Sequence, residues 1–75
     1  MIELKYKDYI VLFKNGYVLL SKREISDLAI SNFPIKYKDK FNFYEDAVLD
    51  TIKIKTRIRK PSVESIKRFL KKEGY

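Results

Sequence analysis

The chain contains no cysteine and no histidine. The first absence removes disulfides, thiolate chemistry and thiolate metal sites. The second removes the commonest metal ligand and the usual general base near neutral pH. Glycine is scarce, with only Gly16 and Gly74, so no phosphate-cradling glycine-rich loop can be assembled, and no nucleophile motif is present. Carboxylates such as Asp46 and Asp50 could form a pair, but nothing singles them out, and the acids of this stretch lack the spacing and terminal Glu of a calcium loop. No enzyme, cofactor or metal is therefore expected, and a carboxylate-and-metal nuclease is the one catalytic class these residues leave open. No apolar run approaches bilayer length, and no segment has the large apolar wedge of a surface-seeking helix. Met1–Tyr6 is not a basic segment followed by an apolar one, so no leader is expected. These exclusions point to a soluble, cytoplasmic protein that binds something.

What is present is a small, strongly basic chain. Its 75 residues suit one small domain, and 45% apolar residues suffice for a core. The net charge of +7 is unevenly distributed. Residues 1–50 carry eight Lys/Arg and eight Asp/Glu, which cancel; residues 51–75 carry nine Lys/Arg against Glu64 and Glu73. The whole excess sits in the last third, and such concentration is the electrostatic footprint of a polyanion site.

Thr51–Lys60 explains how that charge is displayed. At a period of two, Ile52, Ile54, Thr56 and Ile58 separate from Lys53, Lys55, Arg57 and Arg59. Together with the β-branched content, this predicts a strand with an apolar inner face and a row of cations outside. The cations would stand about 6.6 Å apart along roughly 20 Å. The plain alternative is a solvated face, or an edge strand made basic to discourage aggregation.

Other elements follow from local signals. Tyr9–Phe13 and Tyr17–Leu20 flank Lys14-Asn15-Gly16, which predicts a hairpin with a type I′ turn. In that register Phe13 faces Val18, Leu12 faces Leu19 and Val11 faces Leu20. Both hairpin faces are apolar, so it is either central in the sheet or meets a partner. Ile2, Leu4 and Tyr6 alternate as an additional strand or the start of a longer one. Ser21-Lys22-Arg23-Glu24 matches a capping box and predicts a helix over about 22–33, ended by Asn32 and Pro34. Ser62 caps a second helix over about 62–73, whose stripe is Val63, Ile66, Phe69 and Leu70 and whose stop is Gly74. Residues 35–50 are the least legible; Phe41-Asn42-Phe43 suits a short strand, and Tyr44–Asp50 either a turn of helix or the run-in to the basic strand. The expected fold is α+β: a small antiparallel sheet of three to four strands, with both helices on one face.

The function expected from this pattern is nucleic-acid binding dominated by the phosphate backbone, with DNA favoured over RNA. The candidate residues are Lys53, Lys55, Arg57, Arg59, Lys60, Lys67, Arg68 and Lys71, with Lys72 on the same helix. Tyr6, Tyr9, Tyr17, Tyr37 and Tyr44 are candidates to stack on bases from an open sheet face, although any one of them fits a core role as well. No recognised nucleic-acid motif is present. The alternative is an interaction module or inhibitor whose basic face or sheet edge docks on an acidic protein. A homodimer would double the basic surface and cover spare apolar area on the hairpin. The high Lys, Ile, Tyr, Phe and Asn content fits an AT-rich genome, and small cofactor-free chains of this kind are frequent among viral and mobile-element regulators.

Overall fold

A computed structural model describes residues 1–75. Four strands, β1 (Ile2–Tyr6), β2 (Tyr9–Lys14), β3 (Tyr17–Ser21) and β4 (Ile52–Lys55), form one antiparallel sheet in the order β1-β2-β3-β4. Three helices accompany it: α1 (Asp27–Ser31), α2 (Lys40–Ala47) and α3 (Val63–Lys72). The α+β class expected from the sequence is the one observed.

The hairpin has the expected register, with Phe13 opposite Val18, Leu12 opposite Leu19 and Val11 opposite Leu20. Asn15 (φ 50°) and Gly16 (φ 83°) are both left-handed, as a type I′ turn requires. β1 is a separate strand, turned back at Lys7-Asp8 so that Tyr6 pairs with Tyr9. β2 and β3 are therefore the central strands, which accounts for their apolar character on both faces.

The helices do not share one face, and this corrects the expected packing. Val11, Phe13, Val18 and Leu20 point to one side, where Ile66 and Leu70 of α3 join them, all buried. Ile10, Leu12 and Leu19 point to the other, where Phe41, Phe43, Tyr44 and Val48 cover them. A sheet centre that is apolar on both sides needs two covers, because each uncovered aliphatic side chain forfeits about 2 kcal/mol of burial. The chain supplies both covers itself. The hairpin thus has no spare apolar face, and that reason for expecting a second copy falls away.

α2 was hidden in the sequence by its own sandwiching. Phe41 and Phe43 are both buried, which mimics the alternation of a strand. On a helix they lie about 200° apart, on opposite sides. Phe41 faces the sheet, while Phe43 meets Phe33 and Tyr37 edge-on at 5.1 and 5.4 Å. Asp39 caps this helix by accepting from the Asn42 N–H at 2.9 Å.

The first helix begins later than the capping box implied. Ser21 is the last residue of β3, paired with Ile10, and its hydroxyl accepts from the Arg23 N–H at 3.1 Å. The fully buried Tyr44 then holds the following segment extended. Its hydroxyl accepts from the Ile25 N–H at 2.9 Å and donates to the Arg23 carbonyl at 2.8 Å. Those are backbone groups that a helix starting at residue 22 would need. The helix starts instead at Asp27, where Ser26 accepts from the Ala29 N–H.

α3 matches expectation in its bounds and both caps, but of the expected stripe only Ile66 and Leu70 are buried, and Val63 is exposed. The Ser62 hydroxyl accepts from the Ser65 N–H, and the Ser65 hydroxyl accepts from the Ser62 N–H. At the other end Gly74 is left-handed at φ 91°. The Gly74 N–H donates to Lys71 and the Tyr75 N–H to Leu70, the pair of bonds of a Schellman stop. Tyr75 packs edge-on against Tyr9 at 6.1 Å, and the Tyr6 hydroxyl donates to the Tyr75 carbonyl.

Candidate functional site

β4 is shorter than its alternating sequence suggests. The pattern runs from Ile52 to Ile58, but the strand stops at Lys55. Its partner β3 begins at Tyr17, opposite Lys55, and beyond lies the Asn15-Gly16 turn. The Thr56 N–H makes one last bond to the Gly16 carbonyl, at 2.8 Å. After that no backbone remains to pair with, so the chain leaves the sheet. Thr56 is buried, as its place on the inner face requires. Ile58 still packs against the core on the α3 side.

The expected row of four cations is therefore broken. Lys53 and Lys55 belong to β4, whereas Arg57 and Arg59 lie on the connection to α3. There is also no open sheet face for the row to occupy. Lys53 lies opposite Leu19, on the side covered by α2, and its ammonium reaches Glu45 at 2.9 Å and the Tyr17 ring at 4.4 Å. The hydrogen bond with Glu45 holds this ammonium above the usual lysine pKa. Lys53 is thus committed within the molecule.

The other candidates are not. Lys55, Arg57, Arg59, Lys60, Lys67, Arg68, Lys71 and Lys72 make no ion pair with any carboxylate. In the first fifty residues half of the eight cations are paired, and Lys7, Lys22, Lys36 and Lys38 make no ion pair. Lys5 pairs with Glu24, Lys14 with Asp39, Arg23 with Asp50, and Lys40 with Glu3 and Asp27. Burial alone would raise the Asp39 carboxyl, but hydrogen bonds from Lys14 and the Asn42 N–H outweigh it and lower its pKa. Burial likewise opposes the Lys40 charge, and Glu3 overcomes it, leaving that ammonium raised. Asp39, Glu45 and Asp50, three of the four acids of the middle segment, are thereby engaged as counter-charges, and Asp46 is not.

The structure brings some of the free cations together. Lys55, Arg57 and Lys72 line one groove of about 470 Å³, with Ile58, Phe69 and Glu73. On α3 Lys72 stands about 60° around the axis from Phe69. Arg68 lies one turn before Lys72, on the same flank. Lys67 and Lys71 stand about 160° from Phe69, and so face away from the groove. Arg59 and Lys60 are exposed on the connection between β4 and α3. Phe69 and Glu73, which join Lys72 here, are not among the sequence candidates, and Phe69 reads there as part of the core stripe. Their spacing of three and four residues was the available signal for a shared flank.

The tyrosines do not form a stacking platform. Tyr44 is fully buried with its hydroxyl engaged, and Tyr37 sits in the aromatic group around Phe43. Tyr9 is turned onto Tyr75, and Tyr17 carries the Lys53 ammonium over its ring.

A second depression, of about 410 Å³, lies between α1 and the start of α2, beside Asp27, Ser31, Lys36, Tyr37, Asp39 and Lys40. Its Asp39 and Lys40 are already paired within the chain, so it carries little uncompensated charge. No three or more His, Cys, Asp or Glu residues gather in a way that would hold a metal, and no helix is long and apolar enough to cross a membrane. No family model, curated protein or solved structure matches the chain.

Proposed function

We propose that the chain binds nucleic acid through its phosphate backbone, with DNA as the favoured target, along the surface formed by the end of β4, the 57–61 connection and one flank of α3. A single observation carries this reading. Of the nine Lys/Arg in residues 51–75, only Lys53 is neutralised within the molecule. The remaining eight are held on a fixed scaffold and make no ion pair with a carboxylate of the chain. Uncompensated cations repel one another, and a polyanion relieves that repulsion while releasing its own condensed counterions.

Lys55, Arg57, Arg68 and Lys72 form the centre of this surface. Arg59, Lys60, Lys67 and Lys71 extend its positive field on either side. Four phosphate contacts would give a log–log salt slope of roughly −3.6 on duplex and roughly −2.8 on single strands. Fluorescence anisotropy with labelled oligonucleotides between 50 and 200 mM salt tests this. The expected loss of affinity is roughly 150-fold on duplex or roughly 50-fold on single strands. A salt-independent affinity would refute backbone-dominated binding.

A second reading has its own observation. β4 is an outer strand of the sheet, and an extended acidic segment of a protein could pair along it. An absence of binding to any nucleic acid at low salt favours that partner instead.

A further inference from the structure

The groove beside Phe69 contains more than a phosphate needs. A phosphate is held by cations and by N–H or O–H donors, and an apolar surface adds nothing to it. This groove combines three cations with an apolar floor made by Ile58 and Phe69. Its volume of about 470 Å³ falls in the range of small-molecule pockets, far above that of an ion site. Phe69 is only half-buried, against the core, and has no aromatic partner. By contrast Phe13, Phe41, Phe43 and Tyr44 are buried. Phe69 is therefore an aromatic surface bordered by Lys55, Arg57 and Lys72.

An aromatic surface flanked by cations matches a flat heteroaromatic ring carried between two phosphates. We infer that the groove seats one unpaired base of a single-stranded nucleic acid. The base lies against Phe69 and Ile58, and the adjoining phosphates lie on Lys55, Arg57 and Lys72. A base stacked inside a duplex cannot enter, because both of its faces are already covered. Glu73 completes the lining as an acceptor-only group. It repels phosphate and accepts from base N–H groups, and so favours placing the base, rather than the backbone, at its end of the groove. This assignment rests on the polyanion reading above and adds the strandedness of the target.

The test compares three labelled probes of equal length at one salt concentration: a single strand, the same sugar–phosphate strand with abasic sites, and a duplex. The expected result is that the strand with bases binds roughly five- to hundredfold more tightly than the abasic strand, the usual worth of one stacked base. A second readout uses the absence of tryptophan from the chain. Phe69→Trp places a sole indole in the groove, and its emission should be quenched by the strand with bases and left unchanged by the abasic strand. Circular dichroism and thermal melting establish that this variant folds. Equal, salt-sensitive binding of all three probes with unchanged emission overturns the base seat and leaves backbone binding standing. Failure of every probe to bind at low salt overturns both.

Discussion

Lys53 and Lys55 are two residues apart on one strand, yet only Lys53 is paired with a carboxylate, and under the proposed function that difference can be measured. Lys53→Gln removes an ammonium already held by Glu45 at 2.9 Å. Lys55→Gln combined with Lys72→Gln removes two cations that line the groove and have no carboxylate partner. Glutamine retains most of the length and helix propensity of lysine, so the change is chiefly one of charge. Loss of Lys72 also removes a cation from the last turn of α3, worth about 0.3–1 kcal/mol against the helix dipole, which leaves the fold intact. On single-stranded probes four contacts give a slope of roughly −2.8, and two give roughly −1.4. Raising salt from 50 to 200 mM should then weaken the parent roughly 50-fold and the double variant roughly 7-fold. Lys53→Gln should keep the parent slope. Anisotropy titrations at four salt concentrations provide both slopes, and melting curves verify folding. The reasoning fails if Lys53→Gln flattens the slope as much as the groove double variant does. In that case the Glu45 pair does not hold Lys53 out of the interface.

Two further predictions concern the scaffold. Tyr44→Phe removes the hydroxyl that serves both the Ile25 N–H and the Arg23 carbonyl. Those backbone groups are only partly buried and can reach water, so the cost is about 1–2 kcal/mol, a drop of roughly 5–15 °C in Tm by calorimetry. Asp39 has a lowered pKa in the folded state, so its stabilising effect is complete above the unfolded carboxylate value and is lost as pH falls through the folded one, below 3.8. Asp39→Asn, which retains a capping side chain, should lower stability at neutral pH while shrinking the loss seen between pH 5 and pH 2 in urea titrations.

How far the sequence disclosed this molecule depended on whether the deciding interaction was local. The Asn15-Gly16 turn needs two positive φ angles, which its residues accept readily, so the hairpin register was legible to the residue. The caps of α3 likewise lie within a few residues of what they cap. The misread elements were decided at a distance. Ser21-Glu24 has every mark of a helix start, but Tyr44, about twenty residues later, claims the backbone there. The length of β4 is set by where β3 begins, which no inspection of Thr51–Lys60 reveals. Phe41 and Phe43 suggested a strand because a helix buried on two sides loses the one-sided stripe by which helices are found. The charge asymmetry was readable from composition. That Lys53 would be separated from its neighbours was not, because Glu45 approaches it through the fold.

The segment 57–61 is fastened at both ends. Thr56 is tied to the hairpin turn by the Gly16 carbonyl, and Ser62 is locked into the reciprocal hydroxyl pair that begins α3. Between those clamps Ile58 is pressed into the core, and Pro61 restricts the last step. Arg57, Arg59 and Lys60 are thereby mounted on a short taut bridge instead of a free tether. If this surface binds as proposed, much of the backbone freedom that a loose basic tail surrenders on meeting its target has already gone when this chain folds, and a larger share of each contact remains available as affinity.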